Sequence, residues 1–161
     1  MDILTPKGQK TVSQELEAVA IFKEHFPSLD YVHTPKDKPA RVDAALTRNG
    51  EIYAIVETKC RQCTLETFTK EYWSQWLLTW EKLEQARQIA TGFQVPLLGF
   101  LYLVPDKTLL VEKFSEPDGS LVLDMAIRNT VTQATVNGGE VLRNNAYVSM
   151  EKAKVYRSKN G

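Results

Sequence analysis

Two runs of the chain carry an apolar residue at every second position. They are Arg41-Val-Asp-Ala-Ala-Leu-Thr47 and Glu51-Ile-Tyr-Ala-Ile-Val-Glu-Thr-Lys-Cys-Arg61, separated by Arg48-Asn49-Gly50. This pattern predicts a β-hairpin with one face for the core and one left polar. Upstream, residues 9 to 26 change to helical spacing, with Val12, Leu16, Val19, Phe22 and Phe26 on one stripe and Pro27 as a stop. Leu29 to His33 predicts an opening strand, and Thr34 to Pro39 a loop rich in lysine and proline. Leu65 to Thr91 predicts the longest helix, closed by Gly92. Its apolar stripe is Tyr72, Trp73, Trp76, Trp80, Leu83, Ala86 and Ala90. The apolar run Val95 to Val104 predicts a central strand covered on both faces, and Leu109 to Phe114 another strand. Glu116-Pro-Asp-Gly119 and Asn137-Gly138-Gly139 read as turns, residues 120 to 150 as further strands, and Met150 to Lys159 as a short basic tail. The class is α/β.

The hairpin carries the candidate chemistry. Glu57, Lys59 and Arg61 share one strand face. Whether Asp43 joins them depends on register. A two-residue Asn49-Gly50 loop pairs Asp43 with Val56 and sends the carboxylates to opposite faces. A three-residue Arg48-Asn49-Gly50 loop, with Gly50 left-handed, pairs Asp43 with Ile55 and makes Asp43 and Glu57 same-face diagonal neighbours. The other face then becomes Val42, Ala44, Leu46, Ile52, Ala54, Val56 and Cys60, almost wholly apolar. The apolar and acidic faces demand the same register, which favours the three-residue loop. Two carboxylates and a lysine on one face suit a hard divalent cation and a phosphate group. The plainer alternative is a solvated Glu-x-Lys pair, the usual state of strand charges. On the first helix, Glu15 projects into the apolar stripe and Glu17 points the opposite way. A carboxylate on a packing face needs a partner, so Glu15 either snorkels at the core edge or belongs to a cation site.

Composition restrains this picture without removing it. The chain has 161 residues, 20 basic and 20 acidic, so its zero net charge counts against a simple basic nucleic-acid binder. The distribution is more suggestive, because Lys36, Lys38, Arg41 and Arg48 flank the first hairpin strand, and Lys59 and Arg61 lie on the second. One domain over residues 1–161 is expected. With no apolar run of membrane-spanning length and no signal peptide, a cytoplasmic protein with no membrane partner is expected. Cys60 and Cys63 spell half a zinc site or a redox pair, but Cys60 falls on the apolar face, where a free thiol acts as a small hydrophobe. The three tryptophans read as core before they read as base-stacking platforms.

Glu15 on an N-terminal helix, Asp43, and Glu57-Thr58-Lys59 together resemble the PD-(D/E)XK nuclease superfamily, which includes type II restriction enzymes, archaeal Holliday-junction resolvases and many phage nucleases. The order helix, strand, hairpin, long helix, strand over residues 9 to 105 is similar to that family's common core. One departure is Val42, where proline often precedes the aspartate. The resemblance implies a restriction-endonuclease-like core, a mixed central β-sheet flanked by helices, with additional C-terminal strands. It implies metal-dependent hydrolysis of phosphodiester bonds in DNA. A small chain with no visible specificity domain leans towards structure-specific or non-specific cutting, in phage or mobile-element DNA processing. Mg²⁺ or Mn²⁺ would be held by Asp43, Glu57 and the backbone carbonyl of Thr58, with Glu15 binding a second ion or orienting water. Lys59 would position or deprotonate the attacking water or stabilise the transition state. Lys36, Lys38, Arg41, Arg61, Lys82 and Gln85 are the expected nucleic-acid contacts. A non-catalytic nucleic-acid-binding module and an RNA endonuclease are the alternatives, and a homodimer is left open.

Overall fold

The computed structural model of the chain describes residues 6–33, 42–133 and 140–159. The predicted loop Thr34–Pro39 and the turn Asn137–Gly139 lie outside the described residues. Helix α1 (Pro6–His25) leads into β1 (Asp30–His33), β2 (Ala44–Arg48) and β3 (Glu51–Arg61); α2 (Leu65–Glu71), β4 (Gln75–Thr79) and α3 (Trp80–Gly92) follow, then β5 (Leu97–Leu103), β6 (Thr108–Ser115), β7 (Met125–Gln133), β8 (Glu140–Ser149) and β9 (Lys154–Arg157). The protein is α/β. A six-stranded mixed sheet runs β1-β2-β3-β5-β6-β9, with β3 and β5 parallel and the other neighbours antiparallel. A second, antiparallel sheet runs β4-β8-β7.

The alternation along β3 sorts the two cores. Ala54 and Val56 face α1, packing with Ala18, Ile21 and Phe22, whereas Ile55 faces α3 and packs with Leu83, Ala86 and Trp76. Strand β5 is buried along both faces, as its unbroken apolar run requires. The second sheet covers the α3 side through Trp76, Leu78, Ala146 and Val148.

Three expectations need correction. The long helix from Leu65 to Thr91 is two helices with a strand between them. Trp73 and Ser74 take φ of 51° and 55°, a left-handed pair that no α-helix continues through. Trp76 and Leu78 then alternate inward against β8. The positions Trp76, Trp80 and Leu83 satisfy helical spacing too, and only the presence of β8 decides between the patterns. Of the aromatic stripe, Trp76 is core, while Trp73 is 72 % exposed.

The buried face of α1 is also rotated from the predicted stripe. It is Gln14, Glu15, Ala18, Ile21 and Phe22, and Leu16 is 53 % exposed. The sheet beneath offers Ala44 and Ala54, so Ala18 lets the helix approach closely where a leucine would not fit. Finally, the basic tail is partly structural. β9 completes the sheet edge beside β6, and it is clasped to α1 by His25 Nε2 against the Arg157 carbonyl (2.7 Å) and by the Lys159 N–H donating to Glu24 (2.9 Å).

Candidate active site

The hairpin register differs from the predicted one and reaches the same parity by another route. The turn is the two-residue Asn49-Gly50, with φ of 53° and 82°, the left-handed pair that suits the twist of a tight hairpin. Arg48 pairs with Glu51 and Thr47 with Ile52. The register then slips: Leu46 pairs with Ala54, so Tyr53 is an extra residue. A bulge of one residue turns the following side chains over. Ala45 therefore pairs with Ile55, where Asp43 was expected, and Ala44 with Val56. Asp43, just before β2, continues that register to the level of Glu57. Both project from the α3 face, since Ala45 and Ile55 pack there.

Asp43 is fixed by backbone. Its Oδ2 accepts the Thr58 N–H at 2.8 Å. Glu57 is only 1 % exposed, and its Oε1 is buried with no hydrogen-bond partner. Burial first, and then the Asp43 charge, push the Glu57 carboxyl up to about 8, with Lys82 acting against them. Lys82, the third residue of α3, sends its Nζ to 3.3 Å from Glu57 Oε2 and 3.8 Å from Asp43 Oδ1. Burial alone would lower the Lys82 ammonium, but Glu57 and Asp43 hold it above its usual value. Lys59 and Arg61 follow Glu57 on the same strand face. Lys59 is exposed as a residue, yet partial desolvation of its ammonium lowers its pKa, and the charges of Arg61 and Lys82 lower it further.

Glu15 is turned inward, 6 % exposed, while Glu17 is exposed and accepts a hydrogen bond from the Tyr102 hydroxyl at 3.3 Å. Glu15 works from the α1 side of the sheet. Its carboxylate lies 3.7 Å from His33 Nδ1, and its charge reaches Tyr31 and Cys60, and less strongly Lys82. Tyr31 joins this group to the motif, its hydroxyl 2.7 Å from Thr58 Oγ1. Burial, opposed by that hydrogen bond, raises the Tyr31 phenol. Tyr31 and His33 were not anticipated. Their period-two spacing put them on one strand face, but nothing local said that this face meets Glu15.

The remaining candidates divide. Gln85 is exposed one turn beyond Lys82. Lys36, Lys38 and Arg41 lie outside the described residues. Cys60 and Cys63 are free thiols packed against different cores, and burial, then Glu15, push Cys60 up to about 12. Among the described residues, no set of three or more His, Cys, Asp or Glu side chains is gathered as a metal cage, and no helix is long and apolar enough to cross a membrane. No protein-family model matches the chain, and no curated protein is significantly similar to it.

Proposed function

We propose that the chain is a divalent-metal-dependent nuclease that hydrolyses phosphodiester bonds in DNA. The observation that carries this reading is the convergence of Asp43 and Glu57 on the sheet face that also bears Lys59 and Arg61. The order of α1, β1, the β2–β3 hairpin, α3 and β5 is compatible with the family core that the motif resembles.

The donor set suits Mg²⁺ or Mn²⁺. Two carboxylate groups repel one another in a buried wall, and the Oε1 of Glu57 is without a hydrogen-bond partner. Positive charge is what the pair needs, and oxygen donors are what a hard cation prefers. Asp43, Glu57 and the Thr58 carbonyl would hold it, with Glu15 acting from the α1 side of the sheet, where Tyr31 meets Thr58. The ion would supply Lewis acidity and a more acidic bound water. Asp43 stays in place because the Thr58 N–H anchors it. Lys59 would orient the attacking water or offset charge on the phosphoryl oxygens, and partial desolvation holds its ammonium below the usual lysine value. Arg61, Lys82 and Gln85 would line the approach of the phosphate backbone.

One observation favours a second reading. Lys82 already places a positive charge within 4 Å of both acidic groups, as a nucleic-acid-binding module without turnover would also require. Incubation of plasmid DNA, a branched DNA junction and an RNA with Mg²⁺ or Mn²⁺ separates the readings. Divalent-dependent cleavage of DNA that disappears in Asp43→Asn and Lys59→Ala supports the nuclease. Binding without cleavage supports the module, and cleavage of RNA alone moves the substrate class.

A further inference from the structure

Lys82 approaches the acidic pair from a different layer of the molecule. The carboxylates stand on the hairpin, whereas Lys82 stands on the first turn of α3. Its ammonium lies within 4 Å of both carboxylates, and its side chain is 46 % exposed against 1 % for Glu57. The acids are thus fixed in the wall, by burial for Glu57 and by the Thr58 N–H for Asp43, while the cation reaches them on a flexible stem that opens to water.

We propose that Lys82 is an exchangeable counter-ion. In the metal-free protein its ammonium partly offsets the charge of Asp43 and Glu57, and a divalent cation entering between those carboxylates displaces it towards solvent. The inference rests on reading the pair as a divalent-cation site. Three physical points support it. Without any cation the carboxylates repel in a poorly solvated site, so the pair needs a resident charge to stay assembled. A divalent ion bound directly through oxygen, at about 2.0–2.1 Å for Mg²⁺, outcompetes an ammonium standing more than 3 Å away. The two cations would repel one another strongly at that spacing, and only the ammonium has a stem on which to leave. Exchange of this kind lets the ion find carboxylates already in position, so metal entry needs no rearrangement of the hairpin.

Thermal unfolding of the full chain, as wild type and as Lys82→Gln, with EDTA and with saturating MnCl₂, tests the proposal. In EDTA the variant should melt lower by about 2–4 °C or more. With Mn²⁺ the two proteins should converge, and calorimetric titration should show Mn²⁺ binding several-fold more tightly to the variant. A difference that persists undiminished in Mn²⁺ makes Lys82 a permanent ion-pair partner and overturns the exchange while leaving the cation site standing. Equal stability in EDTA overturns it as well. A wild type whose melting is indifferent to both Mn²⁺ and Mg²⁺ removes the divalent-cation reading itself. Should Lys82→Gln not fold, the lysine resonances of ¹³C-methylated wild-type protein, assigned with Lys82→Arg, give the answer. The Lys82 signal should move to the position of an exposed lysine on adding Mg²⁺, and an unmoved signal overturns the proposal.

Discussion

Two acidic pairs among the described residues differ in ways that separate a site from a cluster. At Asp43–Glu57, the aspartate is anchored by a backbone N–H, the glutamate is almost wholly buried, and Lys82 lies within reach of both. At Glu112–Asp124, the glutamate on β6 is partly buried and Asp124 is exposed, and Lys152 meets Asp124 at 3.7 Å from an exposed turn. Both glutamates are raised, Glu57 to about 8 and Glu112 to about 7, in each case by burial first and the neighbouring aspartate second. A raised carboxyl therefore does not by itself mark chemistry. What marks the first pair is that a helix cation reaches both carboxylates, that Lys59 and Arg61 follow on the same strand face, and that Asp43 is anchored to the backbone of the strand bearing Glu57.

The largest expected difference is in cleavage. Asp43→Asn, Glu57→Gln and Lys59→Ala should each lower divalent-dependent cleavage by roughly a hundredfold or more, while Glu112→Gln and Asp124→Asn leave it unchanged. Asparagine is the right change at Asp43, because alanine would also remove the acceptor of the Thr58 N–H. Equal losses at the two pairs would erase the distinction.

Next in size is stability against pH. Both glutamates have folded-state pKa values above their ordinary value of 4.5. Each therefore contributes stability that is present below about pH 4.5 and is lost as pH rises through about 7 for Glu112 and about 8 for Glu57. Metal-free protein should lose on the order of a few kcal/mol between pH 5 and 9. Glu57→Gln should flatten the upper part of that decline and Glu112→Gln the lower. Mn²⁺ should cancel only the Glu57 part, as melting curves across pH would show.

A smaller effect should separate Glu15 from Glu17. Glu15→Gln, which weakens the contact to His33 behind the motif, should cost about tenfold in rate or Mn²⁺ affinity. Glu17→Gln should cost almost nothing. If Glu17 were the sensitive position, the Glu15, His33 and Tyr31 group would not be what couples the α1 face to the site. Smallest is the cysteine pair. Cys60→Ser and Cys63→Ser should leave cleavage and metal content unchanged, and iodoacetamide at pH 8 should spare Cys60 in the native protein.

Much of this was legible in the chain, though not always by the right path. The demand that the apolar and acidic hairpin faces agree placed Asp43 beside Glu57, yet the register that does so combines a two-residue turn with a bulge at Tyr53. Parity can be read from pattern, but the position of a bulge depends on what packs around it. Glu15 was correctly turned inward although the stripe around it was misplaced, because Leu16 yields to Ala18 over the alanines of the sheet. The strand inside the expected long helix was hidden, since Trp76 and Leu78 fit either period until β8 supplies a partner. Lys82 was suggested only through the family resemblance. The Glu112–Asp124 pair went unseen because a turn and an isolated bridge, Ser115 to Leu121, bring it together.

The late position of β9 in the chain bears on synthesis. While the ribosome is still making β7 and β8, β6 is the outermost strand of the main sheet and its edge is bare. That edge carries Leu109, Leu110 and Val111, a ready template for mispairing with other nascent chains. The clasp on the end of α1 is missing for the same interval. Residues 154–159 thus close the sheet and secure α1 together, and a chain stalled before them would emerge sticky at one edge with α1 unclasped.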